Sequence, residues 1–200
     1  MRDARWLDAA EQEVAELGVA VACARVETVG RLAALIGASG GDALFPWAGV
    51  ALEGEIERLA AAEPALVAEE RYRALLRANR GRDAQAGRTL IGPQSADLRV
   101  RHGPKDIEAA RCSTGEQKAL LVGLVLAHAR LVRAMSGLAP LVLLDEIAAH
   151  FDALRRAALY ETLGALGSQV FMSGADAAAF GELRGRAQML RVAQGRVSGV

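Results

Sequence analysis

The spacing of apolar residues changes once along this chain, and that change limits what it can fold into. Up to about residue 80 they recur at helical spacing, as in Trp6, Ala10, Val14, Leu17 and Val21, then Val29, Leu32, Leu35 and Ile36. No proline interrupts this stretch, which predicts one long helix over residues 3–36, loosened around Gly18 and stopped by the glycine-rich segment Gly37 to Gly41. Phe45, Pro46 and Trp47 can form a strand or an irregular connection. Two shorter helices are expected over 51–63 and 65–79, divided by Pro64. The second carries Glu69 and Glu70 early and Arg77 and Arg80 late, which suits the helix dipole. Residues 80–88 are polar and small, and read as a connection and the domain boundary.

Beyond residue 88 the apolar residues gather into short runs. Strands are expected at 89–91 and 97–101 around the turn Gly92 to Ser95, then a helix capped by Ser113 and running to Met135. Leu120, Leu121, Leu124, Val125, Leu131 and Val132 give that helix an aliphatic face for packing on a sheet. A wholly apolar strand, Leu141 to Leu144, precedes a helix over 153–166, a strand over 169–172, a short helix over 176–183 and a closing strand over 187–192. Strands alternating with helices predict an α/β lobe with a mostly parallel sheet. The expected fold class is therefore α/β, with a helical arm over 1–87 and an α/β lobe over 88–200. A chain of 200 residues, 52% hydrophobic, can bury one core and carry such an appendage.

Composition narrows the function. The 24 basic residues balance 24 acidic ones, so any contact with nucleic acid must come from a local patch. Two cysteines, Cys23 and Cys112, offer neither a disulfide framework nor metal-ligand spacing, as expected of thiols in a reducing compartment. The longest apolar run, Ala119 to Ala129, is broken by Gly123 and His128, and the chain starts with charged residues. A cytoplasmic protein with no membrane partner is expected. His102, His128 and His150 are scattered and predict no metal site, with His128 read as a core or edge residue. Trp6, Trp47 and Tyr72 are too dispersed for a base-stacking platform.

Two segments carry chemistry. Asp145 and Glu146 follow a buried strand, and ligands of open α/β sheets sit beyond the carboxyl ends of strands. There Asp145 can face a metal and Glu146 can orient or deprotonate a water. An acid in that place can equally cap the next helix. The other segment is Ser113, Thr114, Gly115, Glu116, Gln117 and Lys118, at the start of the long helix. Backbone N–H groups there can hold a phosphate. Ser113 and Glu116 also fit an ordinary capping box, which leaves Gly115, a poor helix former in a first turn, unexplained. A third feature is the arginine row. Arg73, Arg77 and Arg80 fall three and four apart on a helix and could meet DNA phosphates, or could form a solvated, ion-paired face.

The order of these segments resembles that of the ABC-type ATPases of DNA repair and chromosome maintenance. Ser113 to Lys118 matches their signature motif, Leu141 to Glu146 the Walker B strand, and Ala149 to Asp152 the D-loop. Within that class the chain most resembles the RecF family. The stretch Arg88 to Leu98 is similar to that family's Arg-Thr-x-x-Gly-Pro-His-x-Asp-Asp-Leu, though Gln94 stands where histidine is usual and Ala96 where aspartate is common. Phe171 to Asp176 resembles its post-Walker-B strand and turn. The resemblance spans only the C-terminal half of such a protein, with no phosphate loop carrying Gly-Lys-Ser or Gly-Lys-Thr.

This resemblance implies a DNA replication and repair protein, part of the DNA damage and SOS response, that binds ATP and Mg²⁺. It implies a homodimer closed across ATP, with Asp145 on the metal, Glu146 on the water, and Ser113 to Lys118 closing over the opposite copy's phosphates. Asp152 would couple the two sites, and Asp176 stands where relatives carry a switch histidine. Single-stranded or gapped duplex DNA, RecR and RecO are the implied partners. Without the phosphate loop these 200 residues are expected not to hydrolyse ATP alone. The other reading is a non-enzymatic remnant that dimerises or binds DNA.

Overall fold

The computed structural model describes residues 4–38, 45–147 and 151–199. Ser39 to Gly41 of the expected helix stop, and Ala149 and His150 of the D-loop segment, lie outside them. The chain divides into two compact units, Met1–Gly40 with Ala48–Ala109, and Gly41–Trp47 with Ala110–Val200.

The first unit contains α1 (Ala4–Ala38), β1 (Ala48–Glu53), α2 (Glu55–Ala62), α3 (Ala65–Ala86), β2 (Asp97–His102) and β3 (Ile107–Glu108). Its strands form an antiparallel sheet in the order β1-β2-β3, with Val50 opposite Val100 and Leu52 opposite Leu98. Its core is Ala15, Val19 and Ala22 of α1 against Ile56 of α2 and Ala68, Tyr72 and Leu76 of α3. Of the larger apolar residues of α1 that mark it as a helix, Trp6, Val14, Leu17 and Val21 are exposed, while Leu32 and Ile36 are buried. Small residues take the inner face because α3 lays an aromatic ring on α1 at Gly18. A Cβ there would lie 2.6 Å from Tyr72 Cε1. Gly18 therefore seats Tyr72 rather than loosening the helix. The Tyr72 hydroxyl in turn donates to the Ile91 carbonyl at 3.1 Å.

Three expectations for this unit are corrected. Helix α3 does not stop at residue 79 but runs through Gly81 to Ala86, where Gly87 takes the left-handed cap conformation with φ 66°. Contacts made by Arg80 and Asp83 outweigh the cost of one interior glycine, roughly 1 kcal/mol; the Asp83 carboxylate accepts from the Leu90 amide at 3.0 Å. Ala51 to Glu53, read as helix, are strand because they pair along β2, with Leu52 opposite Leu98. Residues 89–91 are not a strand, and Pro93–Ser95 form a single 3₁₀ turn.

The second unit holds α4 (Thr114–Ser136), β4 (Val142–Leu144), α5 (Ala153–Ala165), β5 (Val170–Met172), and the strands β6 (Leu190–Ala193) and β7 (Arg196–Gly199). β4 and β5 pair in parallel, Leu144 beside Met172, with α5 as the crossover. This is the parallel sheet expected from the alternation. The expected closing strand is instead an antiparallel hairpin, β6 with β7, and Ala177–Leu183 is 3₁₀ rather than α-helical. Ala119, Val122, Leu126 and Ala129 of α4 pack with Val142, Leu144, Leu159, Tyr160 and Leu163 in the core. Of the anticipated face Leu120 and Leu131 are buried, while Leu121 and Val125 are exposed. So is His128, which was expected at the core or its edge. By length and composition α4 is also apolar enough to cross a membrane, the one such helix among the described residues, because Gly123 and His128 do not break it.

Replacing Gly18 by alanine tests the packing of the first unit. Helix propensity alone would raise stability by about 1 kcal/mol. The Tyr72 ring leaves no room, so the unfolding free energy in urea is expected to fall by about 1–3 kcal/mol. An unchanged or higher value would contradict this packing.

Candidate functional site

The carboxyl ends of two parallel strands lie at the same sheet edge, and there β4 and β5 deliver the acids. Past Leu144 come Asp145 and Glu146; past Met172 comes Ser173, whose amide donates to the Leu144 carbonyl at 2.9 Å. The Ser173 hydroxyl donates to Asp145 Oδ1. It also accepts from the Glu146 amide at 3.4 Å. One hydroxyl thus touches both acidic residues. Glu146 has φ 52°, in the left-handed region that a residue with a Cβ adopts at a cost of roughly 1–2 kcal/mol. Both acids are exposed.

Among the described residues no three His, Cys, Asp or Glu side chains converge on a metal position. A pair of carboxylates is nevertheless what magnesium needs, because it is held by one or two carboxylates together with waters and substrate phosphates. Asp145 has one oxygen taken by Ser173, so the pair fits a magnesium ion that arrives with a phosphate rather than an all-protein cage.

The turn before α4 forms the capping box. Glu116 N–H donates to Ser113 Oγ at 3.4 Å, and Ser113 N–H donates to Glu116 Oε2 at 2.9 Å. Gln117 Nε2 braces the turn on the carbonyls of Ala110 and Cys112, at 3.3 and 3.1 Å. Ser113 and Thr114 are exposed, while Gly115 and Lys118 are half-buried. A Cβ on Gly115 would meet nothing within 4 Å. The chain's own packing therefore does not require glycine there.

Asp152 and Asp176 both act as caps. Asp152 accepts from the Arg155 amide at 2.9 Å at the start of α5, and Asp176 from the Ala178 amide at 2.8 Å. Both are exposed at the ends of the elements they start.

The arginine row is not free. Arg77 donates to Asp8 at 2.6 Å, Arg80 grips Asp8 at 2.5 Å and Glu11 at 2.6 Å, and Arg73 donates to Gln12. These bonds join α3 to α1 and realise the ion-paired reading of the row. Arg80 is half-buried and shared between two carboxylates. Its guanidinium, with Arg77, holds the Asp8 carboxyl below its ordinary value of 3.8.

Ser173 was missed from sequence as a site residue. The signal was available, since it follows a second apolar strand just as Asp145 follows the first.

Compared with known proteins, the chain is similar to RecF along almost its whole length. It is 58% identical over 197 residues to the DNA replication and repair protein RecF of Rhizobium meliloti, covering 98% of this chain and 52% of that protein. RecF of Mesorhizobium japonicum is 54% identical over 196 residues and RecF of Brucella abortus 52% over 198, again at 52% of their lengths. The chain thus spans about half the length of these curated relatives, the C-terminal half. Two solved structures of the recombination mediator protein RecF in the RecFOR pathway share its fold. One, with ATPrS, gives a TM-score of 0.79 over 98% of this chain and 51% of its own; the other, with ATP, gives 0.80 over 100% and 51%. Both are 15% identical and speak to fold alone. No protein-family model matches the chain.

Two outcomes are expected from these geometries. At an ordinary position glycine is less stable than alanine by about 0.5–1 kcal/mol. At residue 146 the left-handed backbone reverses the order, so Glu146→Gly should be more stable than Glu146→Ala by about 1 kcal/mol in urea unfolding. The usual order would refute the left-handed conformation. Asp8 has a folded pKa below its unfolded one, so its stabilisation is full above the unfolded value and disappears as pH falls through the folded value. Unfolding midpoints of Asp8→Asn should therefore lie below the parent's at pH 7 and converge with them as the pH drops below 3.8. A gap that persists at low pH would contradict the ion pairs.

Proposed function

We propose that this chain forms the C-terminal part of a RecF-type ATPase that acts in DNA replication and repair. The observation that carries the proposal is the 58% identity to RecF maintained across 98% of the chain. The first unit serves as the arm, and the second as part of the nucleotide-binding head. One of the points where the two compact units meet in sequence is Ala109–Ala110.

Two copies face each other with ATP between them. Asp145 of one copy lies toward the phosphates, where it would help hold Mg²⁺; bound there, the ion would offset phosphate charge. Glu146 orients the attacking water and accepts its proton. Ser113, Gly115 and the start of α4 come from the opposing copy. There the bare Cα of Gly115 lets the backbone approach a phosphate, consistent with the open space beside it. Thr114 and Lys118 lie in the same turn, Glu116 and Gln117 brace it, and Ser113 exchanges its bond to Glu116 for one to phosphate. Asp152 adjoins the seam, and Asp176 borders the acidic pair. Binding ATP joins the two copies and hydrolysis releases them. DNA, RecR and RecO are the partners in the cytoplasm, with Arg73 and Arg77 as exposed candidates for phosphate contact once parted from α1.

Two features argue that these residues work with the other half of a RecF-type head. The only two lysines, Lys105 and Lys118, follow Pro104 and Gln117, so no Gly-Lys-Ser or Gly-Lys-Thr occurs here. The outer face of the β4–β5 pair leaves Leu143 at 73% and Phe171 at 51% exposed, side by side, although parallel strands are normally covered on both faces.

The test is a chimera in which this chain replaces the matched half of the Rhizobium meliloti RecF. Light scattering should show a dimer that forms with ATP and Mg²⁺ and persists when Glu146 is changed to Gln. The 200-residue chain alone should show no ATP hydrolysis. A chimera that stays monomeric under conditions where the Rhizobium protein dimerises would refute the proposal. So would Mg²⁺-dependent turnover by the chain alone that Glu146→Gln abolishes.

A further inference from the structure

We infer that Ser173 is the positioning residue of the acidic pair: its one hydroxyl orients Asp145 and fixes the backbone of Glu146. The inference rests on the nucleotide-site reading above and deepens it. Three bonds carry it. The Ser173 amide is tied to the Leu144 carbonyl at 2.9 Å, which locks the residue into the extension of the β4–β5 ladder. From that fixed point Oγ donates to Asp145 Oδ1 and accepts from the Glu146 amide at 3.4 Å.

The direction of the bonds is what matters. A hydroxyl has one proton to give and lone pairs to accept with. Here the proton goes to the carboxylate and a lone pair meets the amide, so amide, hydroxyl and carboxylate form one chain in which each bond polarises the next. Oδ1 of Asp145 is thereby occupied, which leaves Oδ2 as the oxygen available for a cation. The bond to the amide also anchors the peptide plane that leads into Glu146, whose left-handed φ of 52° persists where surrounding bonds hold it. An apolar side chain at 173 would keep the strand pairing and lose both effects. A threonine would keep all three bonds.

Asp145 and Glu146 are thus set by one group, and neither acid can be moved without disturbing the other. Ser173 reaches no phosphate or water in this account and acts only through the acids. Removing its hydroxyl should lower turnover through misplacement of Asp145 and Glu146 while nucleotide affinity stays nearly the same. Groups that orient the holders of a metal typically change activity by about 10–100-fold when removed.

The near-isosteric pair Ser173→Thr and Ser173→Val isolates the hydroxyl, with Ser173→Ala as a smaller third variant should valine fold poorly. In the 200-residue chain, hydrogen exchange at the Glu146 amide should be close to the parent's in the threonine variant. It should quicken about five- to tenfold in the valine or alanine variant, the loss of one hydrogen bond, while amides of the α4–β4 core keep their protection. In the chimera, kcat should fall about 10–100-fold for valine or alanine, with KM for ATP within about threefold of the parent and threonine near normal. Equal exchange at Glu146 in all variants, or equal kcat for threonine and valine, would overturn the inference. If Glu146→Gln itself leaves hydrolysis untouched, the nucleotide-site reading fails, and the exchange arm still decides whether Ser173 holds the backbone of Glu146.

Discussion

The pairing of β4 with β5 is the constraint on which the chemistry of this chain depends. It places Leu144 beside Met172, so the residues that follow each strand emerge at one edge. The α5 crossover makes such a parallel register possible, and the α4 face of Ala119, Val122, Leu126 and Ala129 holds it against the core. Without that register, Ser173 could not reach Asp145. With it, two acids remote from Ser173 in sequence are fixed by a single hydroxyl. The backbone at Glu146 carries strain that the ladder and the serine together maintain.

The first unit solves a different problem with the same economy of contacts. Its helices approach closely because α1 turns alanines, a valine and Gly18 toward α3, leaving Trp6, Val14, Leu17 and Val21 outside. The arginines of α3 then clasp Asp8 and Glu11 at the end of that interface. The row of positive charge read as a phosphate track is thus partly consumed in joining two helices, and its effect on Asp8 makes the clasp sensitive to acid.

How much of this was legible in the sequence varies with the range of the forces involved. The capping box at Ser113 and Glu116 is local and was readable from four residues. So were the α/β alternation and the strand ending in Asp145, because buried runs and their punctuation are local too. The end of α3 was misread because Gly81 looks like a stop, whereas Arg80 reaches the distant Glu11 and Asp83 holds the Leu90 amide just past the helix, and these contacts carry it on to Gly87. Ala51 to Glu53 have helix-forming composition and became strand only because β2 is present to pair with them. The inner face of α4 was read only in part: Leu120 and Leu131 are buried as expected, but Leu121 and Val125 are exposed, and Ala119 and Ala129 give a weak apolar signal at the core. Ser173 lay in a stretch already matched to RecF, yet its role depends on a pairing between strands that no local pattern reports.

The central claim is that the acids of one copy and the Ser113 turn of another meet the same terminal phosphate. The most direct measurement is a crystal structure of the chimera carrying Glu146→Gln, grown with ATP and Mg²⁺. The account predicts a dimer with Asp145 and residue 146 at the γ-phosphate of their own copy's nucleotide, and Ser113 and Gly115 of the other copy across it. Nucleotide bound away from Asp145, or a dimer whose Ser113 turns face solvent, would contradict it.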